Sequence, residues 1–140
     1  MSLRTADFFS HALAASEDVT AIVGDRIFLP ARPTIDEQED TIPYIIIEHG
    51  SLTNISRTKD DCVEGQEDSV NVSILCVAES HDRLMDLCEA VRDCCIEAWE
   101  AGANDPLTPV DWQFSASEEI YDPLKPCNFI TLVYQCTTNR

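Results

Sequence analysis

The run Ser69-Val70-Asn71-Val72-Ser73-Ile74-Leu75-Cys76-Val77-Ala78, followed by Glu79, Ser80 and the segment HDRLMDLCEAVRDCCIEAWEA (residues 81–101), carries both periods from which a mixed fold is built. In its first part Val70, Val72, Ile74, Cys76 and Ala78 share one side and Asn71, Ser73, Leu75 and Val77 the other, the two-residue period of a pleated strand. Beyond Ser80, a residue type that caps helix N-termini, Leu84, Leu87, Cys88, Val91, Cys95 and Ala98 recur at three- and four-residue spacing until Gly102, with Trp99 at the margin of the stripe. Turning about 100° per residue places Asp82, Asp86, Glu89, Asp93, Glu97 and Glu100 within roughly 80° of arc on the opposite side. A strand and a helix therefore meet over a shared core, and the helix turns an acidic rail to water.

Upstream, residues 50–68 are polar and charged, with Gly65 near the far end, too long for a tight turn and better suited to an extended hairpin arm. Before it, Tyr44, Ile45, Ile46 and Ile47 run consecutively, as in a strand covered on both faces. Arg26-Ile27-Phe28-Leu29 predicts a short edge strand, ended by Pro30 and Pro33 and followed by a solvated acidic loop from Asp36 to Asp40. The opening segment predicts a helix over Thr5–Ala15 with Thr5 as N-cap, Asp7 in the first turn and Phe8, Ala12 and Leu13 on its buried stripe. Ser16 opens a second short turn carrying Val19, Ile22 and Val23, and Gly24 supplies the left-handed conformation that stops it. Downstream, Val110, Trp112, Phe114 and Ala116 alternate after a Pro106/Pro109 loop, Tyr121-Asp122-Pro123 reads as a turn, and residues 127–137 alternate again. The expected fold is α+β: one domain over residues 1–140, with a mostly antiparallel sheet of four to five strands and two main helices packed on one face.

A hydrophobic fraction of 44% and a charged fraction of 25% in 140 residues fit an ordinary folded domain and exclude general disorder. The longest nearly uncharged runs, residues 42–47 and 129–135, fall far short of the ~20 residues a membrane-spanning helix needs. Asp7 and His11 interrupt any secretory apolar stretch, so the chain is expected in the cytoplasm where it is made, with its seven cysteines reduced and unpaired. A formal charge of −17 repels a phosphate backbone and argues against tight nucleic-acid binding.

The residue types that carry chemistry are scattered. His11, His49 and His81 lack the close spacings of a metal site, the cysteines form no C-x-x-C pair, and Cys94 and Cys95 point about 100° apart on a helix. Cys76, Cys88, Cys95 and Cys136 read as small apolar core residues, while Cys62 sits beside Asp60 and Asp61, whose charge suppresses thiolate formation. Asp60, Asp61, Glu64, Glu67 and Asp68 cluster oxygen ligands, but their spacing departs from the EF-hand loop. Glu118 and Glu119 are neighbours on what reads as a strand and would face opposite sides, and no phosphate-binding or nucleophile-elbow motif is present. The expectation is a protein that is not an enzyme and has no catalytic residue, metal or cofactor.

The ordered set of an amphipathic opener, Val23-Gly24-Asp25-Arg26-Ile27-Phe28, Ile42-Pro43-Tyr44-Ile45-Ile46-Ile47, a charged arm, Val70-Asn71-Val72-Ser73-Ile74, the helix from Leu84 to Arg92 and Tyr121-Asp122-Pro123 before a closing strand resembles the tail-completion, or tail-terminator, proteins of long-tailed phages and prophages. The resemblance spans nearly the whole chain. It implies a sheet flanked by helices, assembled as a homo-oligomeric ring, usually of six subunits, that caps the tail tube and then meets the head–tail connector. It also implies a place first in the host cytoplasm and then in the virion. A head–tail joining protein of the neck is the near alternative; a monomeric adaptor or ligand-binding domain is the more distant one. Arg57, Lys59, Asp60 and Asp61, on the charged arm, are the expected contacts with a neighbouring subunit or the tube, since long ordered loops usually serve binding.

Overall fold

The computed structural model describes residues 2–29, 42–55, 67–102 and 105–139. A 3-10 turn, Ser2–Arg4, leads into α1 (Thr5–Ala15), and here the capping expectation needs correction. Arg4 holds the N-cap position without a side-chain hydrogen bond, and the Thr5 hydroxyl instead donates back to the Ser2 carbonyl at 2.6 Å. The extra turn ahead of the helix moves the boundary by one residue. Ser2 is itself anchored at the end of the chain's last strand, since its hydroxyl accepts from Thr138 Oγ1 at 2.7 Å.

Ser16 does cap α2 (Glu17–Val23), its hydroxyl accepting from the Val19 N–H at 3.3 Å. Gly24, at φ 63°, closes that helix in the left-handed region where a side chain would be strained. The chain then enters β1 (Ile27–Phe28), which lies parallel to β2 (Tyr44–Ile55). The Ile45 N–H donates to Arg26 O at 3.0 Å and Arg26 Nε donates to Pro43 O at 2.9 Å, so the junction is tied by both backbone and side chain.

β2 runs antiparallel to β3 (Glu67–Ala78), and their ladder reaches Ile55 and Glu67, so the charged arm begins as paired strand. The register shifts between His49 and Leu52. Gly50 sits in that bulge because a Cβ there would lie 2.9 Å from the Asn71 carbonyl oxygen. β3 is followed by α3 (His81–Ala101), β4 (Asp111–Ala116), β5 (Ile120–Asp122) and β6 (Cys127–Asn139). The strand order is β1-β2-β3-β6-β4, with β5 also paired to β6, and every pairing except β1–β2 is antiparallel.

The sheet thus has six described strands rather than four to five. The additional one is β5, which pairs Tyr121 with Asn128 and Asp122 with Cys127 where the sequence reads as a turn. The reversal comes just after it, and Asp122 Oδ1 accepts from the Leu124 N–H at 2.9 Å to hold the turn.

All three helices cover one face of the sheet. Ile45 and Ile47 of β2, Val70, Val72, Ile74 and Cys76 of β3 and Ile130, Leu132, Tyr134 and Cys136 of β6 meet Phe8, Phe9 and Leu13 of α1, Val19 and Val23 of α2 and Leu84, Leu87, Val91 and Cys95 of α3. At one end of this core the aromatic side chains form a connected group. Phe9 lies 4.9 Å from Tyr134 and 5.8 Å from Trp112, and Trp112 stacks 4.7 Å from Trp99, ring centre to ring centre. Trp99 is held in place by donating Nε1–H to Pro109 O at 2.8 Å. Arg92 closes the rim with its guanidinium 4.4 Å above the Phe114 ring.

The N-terminus of α3 is capped as the sequence predicts, with Ser80 Oγ accepting from the Arg83 N–H at 3.3 Å. Ser80→Ala is expected to cost about 1 kcal/mol, because one of the first-turn amides then loses its partner. Equilibrium urea denaturation of the two proteins checks this, and an unchanged midpoint would assign the capping to water.

Candidate functional site: an uncharged sheet face opposite an acidic helix

No described helix packs on the second face of the sheet. Strand register assigns Tyr44 and Ile46 of β2, Ser69, Asn71, Ser73, Leu75 and Val77 of β3, the odd positions from Phe129 to Thr137 of β6, and Gln113 and Ser115 of β4 to this face. One end is apolar. Tyr44, Ile46, Val77 and Cys127 form a buried cluster with Phe28, Ile42, Leu75 and Phe129 against it. A groove of about 420 Å³ opens there, bounded by Leu124 and Lys125 of the turn after β5. Leu124 is 92% exposed, and Ile120 and Tyr121 beside it are also exposed. The other end is polar but uncharged, with a second groove lined by Ser51, Asn71, Ser73, Gln113, Ser115 and Gln135 among others. The charged groups on this face, Glu48, Glu67, Asp111 and Asp122, stand at its margins.

The opposite side of the molecule is the reverse. Asp82, Asp86, Glu89, Asp93, Glu97 and Glu100 of α3 are all exposed, as the helical period predicts. Like charges three and four residues apart weaken a helix by a few tenths of a kcal/mol each, a cost offset here by the burial of Leu84, Leu87, Val91, Cys94 and Cys95 on the other side. Charge and contact are therefore segregated, with the acids over the helices and the neutral groups on the sheet.

Catalytic geometry does not assemble among the described residues. His11, His49 and His81 lie apart, and no three side chains of His, Cys, Asp or Glu converge to hold a metal ion. Cys95 and Cys136 are fully buried, and burial pushes both thiols up to about 12, away from the thiolate form a nucleophile needs. The Cys76 thiol is held well above its ordinary value by its hydrogen bond to Cys88 and by burial. Cys94, outside the predicted stripe, is nonetheless buried and donates its thiol to Ala12 O at 3.2 Å, which ties α3 to α1.

Glu118 and Glu119 are not on a strand but in the short link between β4 and β5, which corrects the sequence reading. Glu119 accepts from Asn128 Nδ2 at 2.5 Å and from His81 Nδ1 at 2.6 Å. These bonds, Asn128 first, lower its pKa, and the three residues latch the start of α3 to the sheet edge. No described helix is long and apolar enough to cross a membrane.

A family model described as tail completion protein gp17 matches residues 10–138. The chain belongs to that family. Its role is accordingly structural, in the assembly of a phage-type tail. The fold is shared with a chain in the virion of a native gene transfer agent particle at a TM-score of 0.65, over 96% of this chain and 94% of that one. At 14% identity that likeness is one of architecture. No curated protein matches.

For a tail completion protein the surfaces matter more than any cleft. The four arm residues singled out from sequence, Arg57, Lys59, Asp60 and Asp61, lie outside the described residues, as do Cys62 and the Asp36–Asp40 acids. What the sequence reading passed over is the low charge at the centre of the second sheet face. Its signal was present in the alternate positions Asn71, Ser73, Thr131, Val133 and Gln135, uncharged in a chain with 26 acids.

Proposed function

We propose that this chain forms a ring, of six subunits, that caps the tail tube and joins it to the head connector, without catalytic activity, and that it ends in the virion tail after assembly in the host cytoplasm. The observation that carries this reading is the family match over residues 10–138. Arg57, Lys59, Asp60 and Asp61 contact a neighbouring subunit or the tube, from an arm whose base is the paired ladder ending at Ile55 and Glu67. The acidic rail of α3 flanks a passage through which DNA slides without adhering, because like charges repel.

Light scattering over a range of protein concentration and salt tests the ring. Six chains of 15.6 kDa give a species of about 94 kDa, and moderate salt should favour it by screening the −17 charge on each chain. A monomer under every condition would overturn the ring. Deleting residues 57–61 is expected to abolish ring formation or tail capping, and undiminished capping would remove the arm from the contact. Binding to duplex DNA at physiological salt would contradict the passage.

A further inference from the structure

We infer that the turn carrying Leu124 and Lys125, at one edge of the sheet, docks in a groove at the opposite edge of the next copy of this chain, with Leu124 against Leu3 and Leu29 and Lys125 beside Glu48. This rests on the ring reading above and names the two unlike surfaces that would close it.

Position is the first argument. β1 forms one edge of the described sheet. β3 lies along one side of β6 and both β4 and β5 along the other, so β5 and the turn after it stand at the far edge. With strands about 4.8 Å apart, the four spacings from β1 to β5 amount to about 19 Å. The two most exposed of the large apolar side chains described sit one at each edge, Leu124 at 92% and Leu3 at 79%. Leu3 borders a groove of about 420 Å³ with Ala6, Asp7, Glu48 and Leu29, the last just beyond β1. A chain cannot seat its own turn in its own groove across that span, so the contact joins two copies. Because turn and groove are different surfaces, each copy gives one contact and receives one. That arrangement repeats around a ring when the rotation closes, whereas a patch that meets itself stops at a pair.

Charge is the second. Four of the described basic side chains are engaged within the chain. Arg4 pairs with Asp7 at 3.2 Å, Arg83 with Glu79 at 3.5 Å, Arg26 donates to Pro43 O and Arg92 covers the Phe114 ring. Lys125 is exposed and has no partner among the described residues, and the same holds for Glu48 at the groove. Between two chains that each carry −17, a free ammonium offered to a free carboxylate supplies attraction at a defined place and fixes the register of the contact.

Both surfaces are also held in shape before they meet. Pro123 and Pro126 bracket the turn, and Asp122 Oδ1 accepts from the Leu124 N–H at 2.9 Å. On the other side Thr138 Oγ1 donates to the Ser2 hydroxyl at 2.7 Å, which fixes the 3-10 turn that presents Leu3. Groups ordered in advance lose less freedom on binding, and a few apolar anchors carry most of the energy of a contact.

The test reads the mass by light scattering in about 0.15 M salt. Leu124→Asp spoils the turn and leaves the groove, Leu3→Asp spoils the groove and leaves the turn, and both positions are exposed enough to keep the fold. Lys125→Glu is a second variant of the turn, and Glu89→Gln on the α3 rail serves as control. The expected result is association weakened at least tenfold in each of the three variants and changed less than twofold in the control. Mixed in equal amounts, Leu124→Asp and Leu3→Asp retain one sound contact between them, which should give a pair of about 31 kDa and nothing larger. Folded Leu124→Asp and Lys125→Glu chains that associate as tightly as the unaltered chain overturn the inference and leave the ring standing. A mixture that forms no pair, or builds beyond one, overturns the head-to-tail contact in the same way. An unaltered chain that stays monomeric at every concentration and salt overturns both readings.

Discussion

Replacing Phe9 by alanine should lower the stability of this protein by about 3–5 kcal/mol, the range for deleting a fully buried aromatic side chain. Phe9 has no exposed surface and lies where α1 meets the sheet, with Tyr134 4.9 Å away, Phe8 edge-on at 5.1 Å and Trp112 at 5.8 Å. The loss has two parts, the transfer of the ring from water and the cavity that rigid neighbours leave behind. Tyr134 and Trp112 are held in a sheet register and cannot collapse far into the space. Since a domain of this size is stable by only about 5–15 kcal/mol, the variant should be close to unfolding at physiological temperature. Phe114→Ala, at the half-exposed rim beneath Arg92, should cost less. Urea denaturation of the three proteins orders them, and a loss below about 1 kcal/mol for Phe9→Ala would mean that the helix is not seated as described.

The elements legible in the sequence are those specified by local pattern. The alternation through Val70, Val72, Ile74 and Cys76 and the stripe through Leu84, Leu87, Val91 and Cys95 each repeat over several periods, and both reappear in the burial of β3 and α3. Ser16 and Ser80 were readable as caps because a side-chain oxygen three residues before a free amide is a short-range relation. Thr5 was misread for the same locality. The pattern marks where a helix begins but not that residues 2–4 add a 3-10 turn pinned to Thr138 at the other end of the chain.

What escaped the sequence is set by distant partners. β5 has three residues next to a proline, too few to show a period, and exists as strand because Phe129, Asn128 and Cys127 present a free edge to it. Trp99, marginal to its helical stripe, is central once Trp112 arrives from β4 and Pro109 offers its carbonyl. The parallel pairing of β1 with β2 likewise depends on Arg26 reaching Pro43, seventeen residues on. The candidate site follows the same division. The acidic rail was visible because it lies on one helix, whereas the neutral face is spread over four strands and needs their register before its residues become neighbours.

Buried thiols lead to the second large expectation, a steep loss of stability at alkaline pH. Burial raises Cys95 and Cys136 from 9.0 to about 12 in the folded chain and raises Tyr134 in the same direction, while the hydrogen bond to Cys88, with burial, raises Cys76. The Tyr134 hydroxyl is buried beside the Cys95 thiol, and burial outweighs the nearby Arg92 charge in disfavouring its anion. Once pH passes 9 the unfolded chain releases these thiol protons while the folded chain keeps them. Unfolding is then accompanied by proton release, and stability must fall as pH rises. The stability at stake is fully present below pH 9 and is lost through the window up to about 12. Each thiol contributes a slope of about 1.4 kcal/mol per pH unit within it. Cys95 and Cys136 together should therefore remove several kcal/mol by about pH 11, enough to unfold a domain of ordinary stability. Urea midpoints between pH 8 and 11 in a reducing buffer would show the slope, and Cys136→Ala should lower the starting stability but flatten the fall. A midpoint independent of pH over that range would mean that water reaches these thiols and that the seam between α3 and the sheet is open.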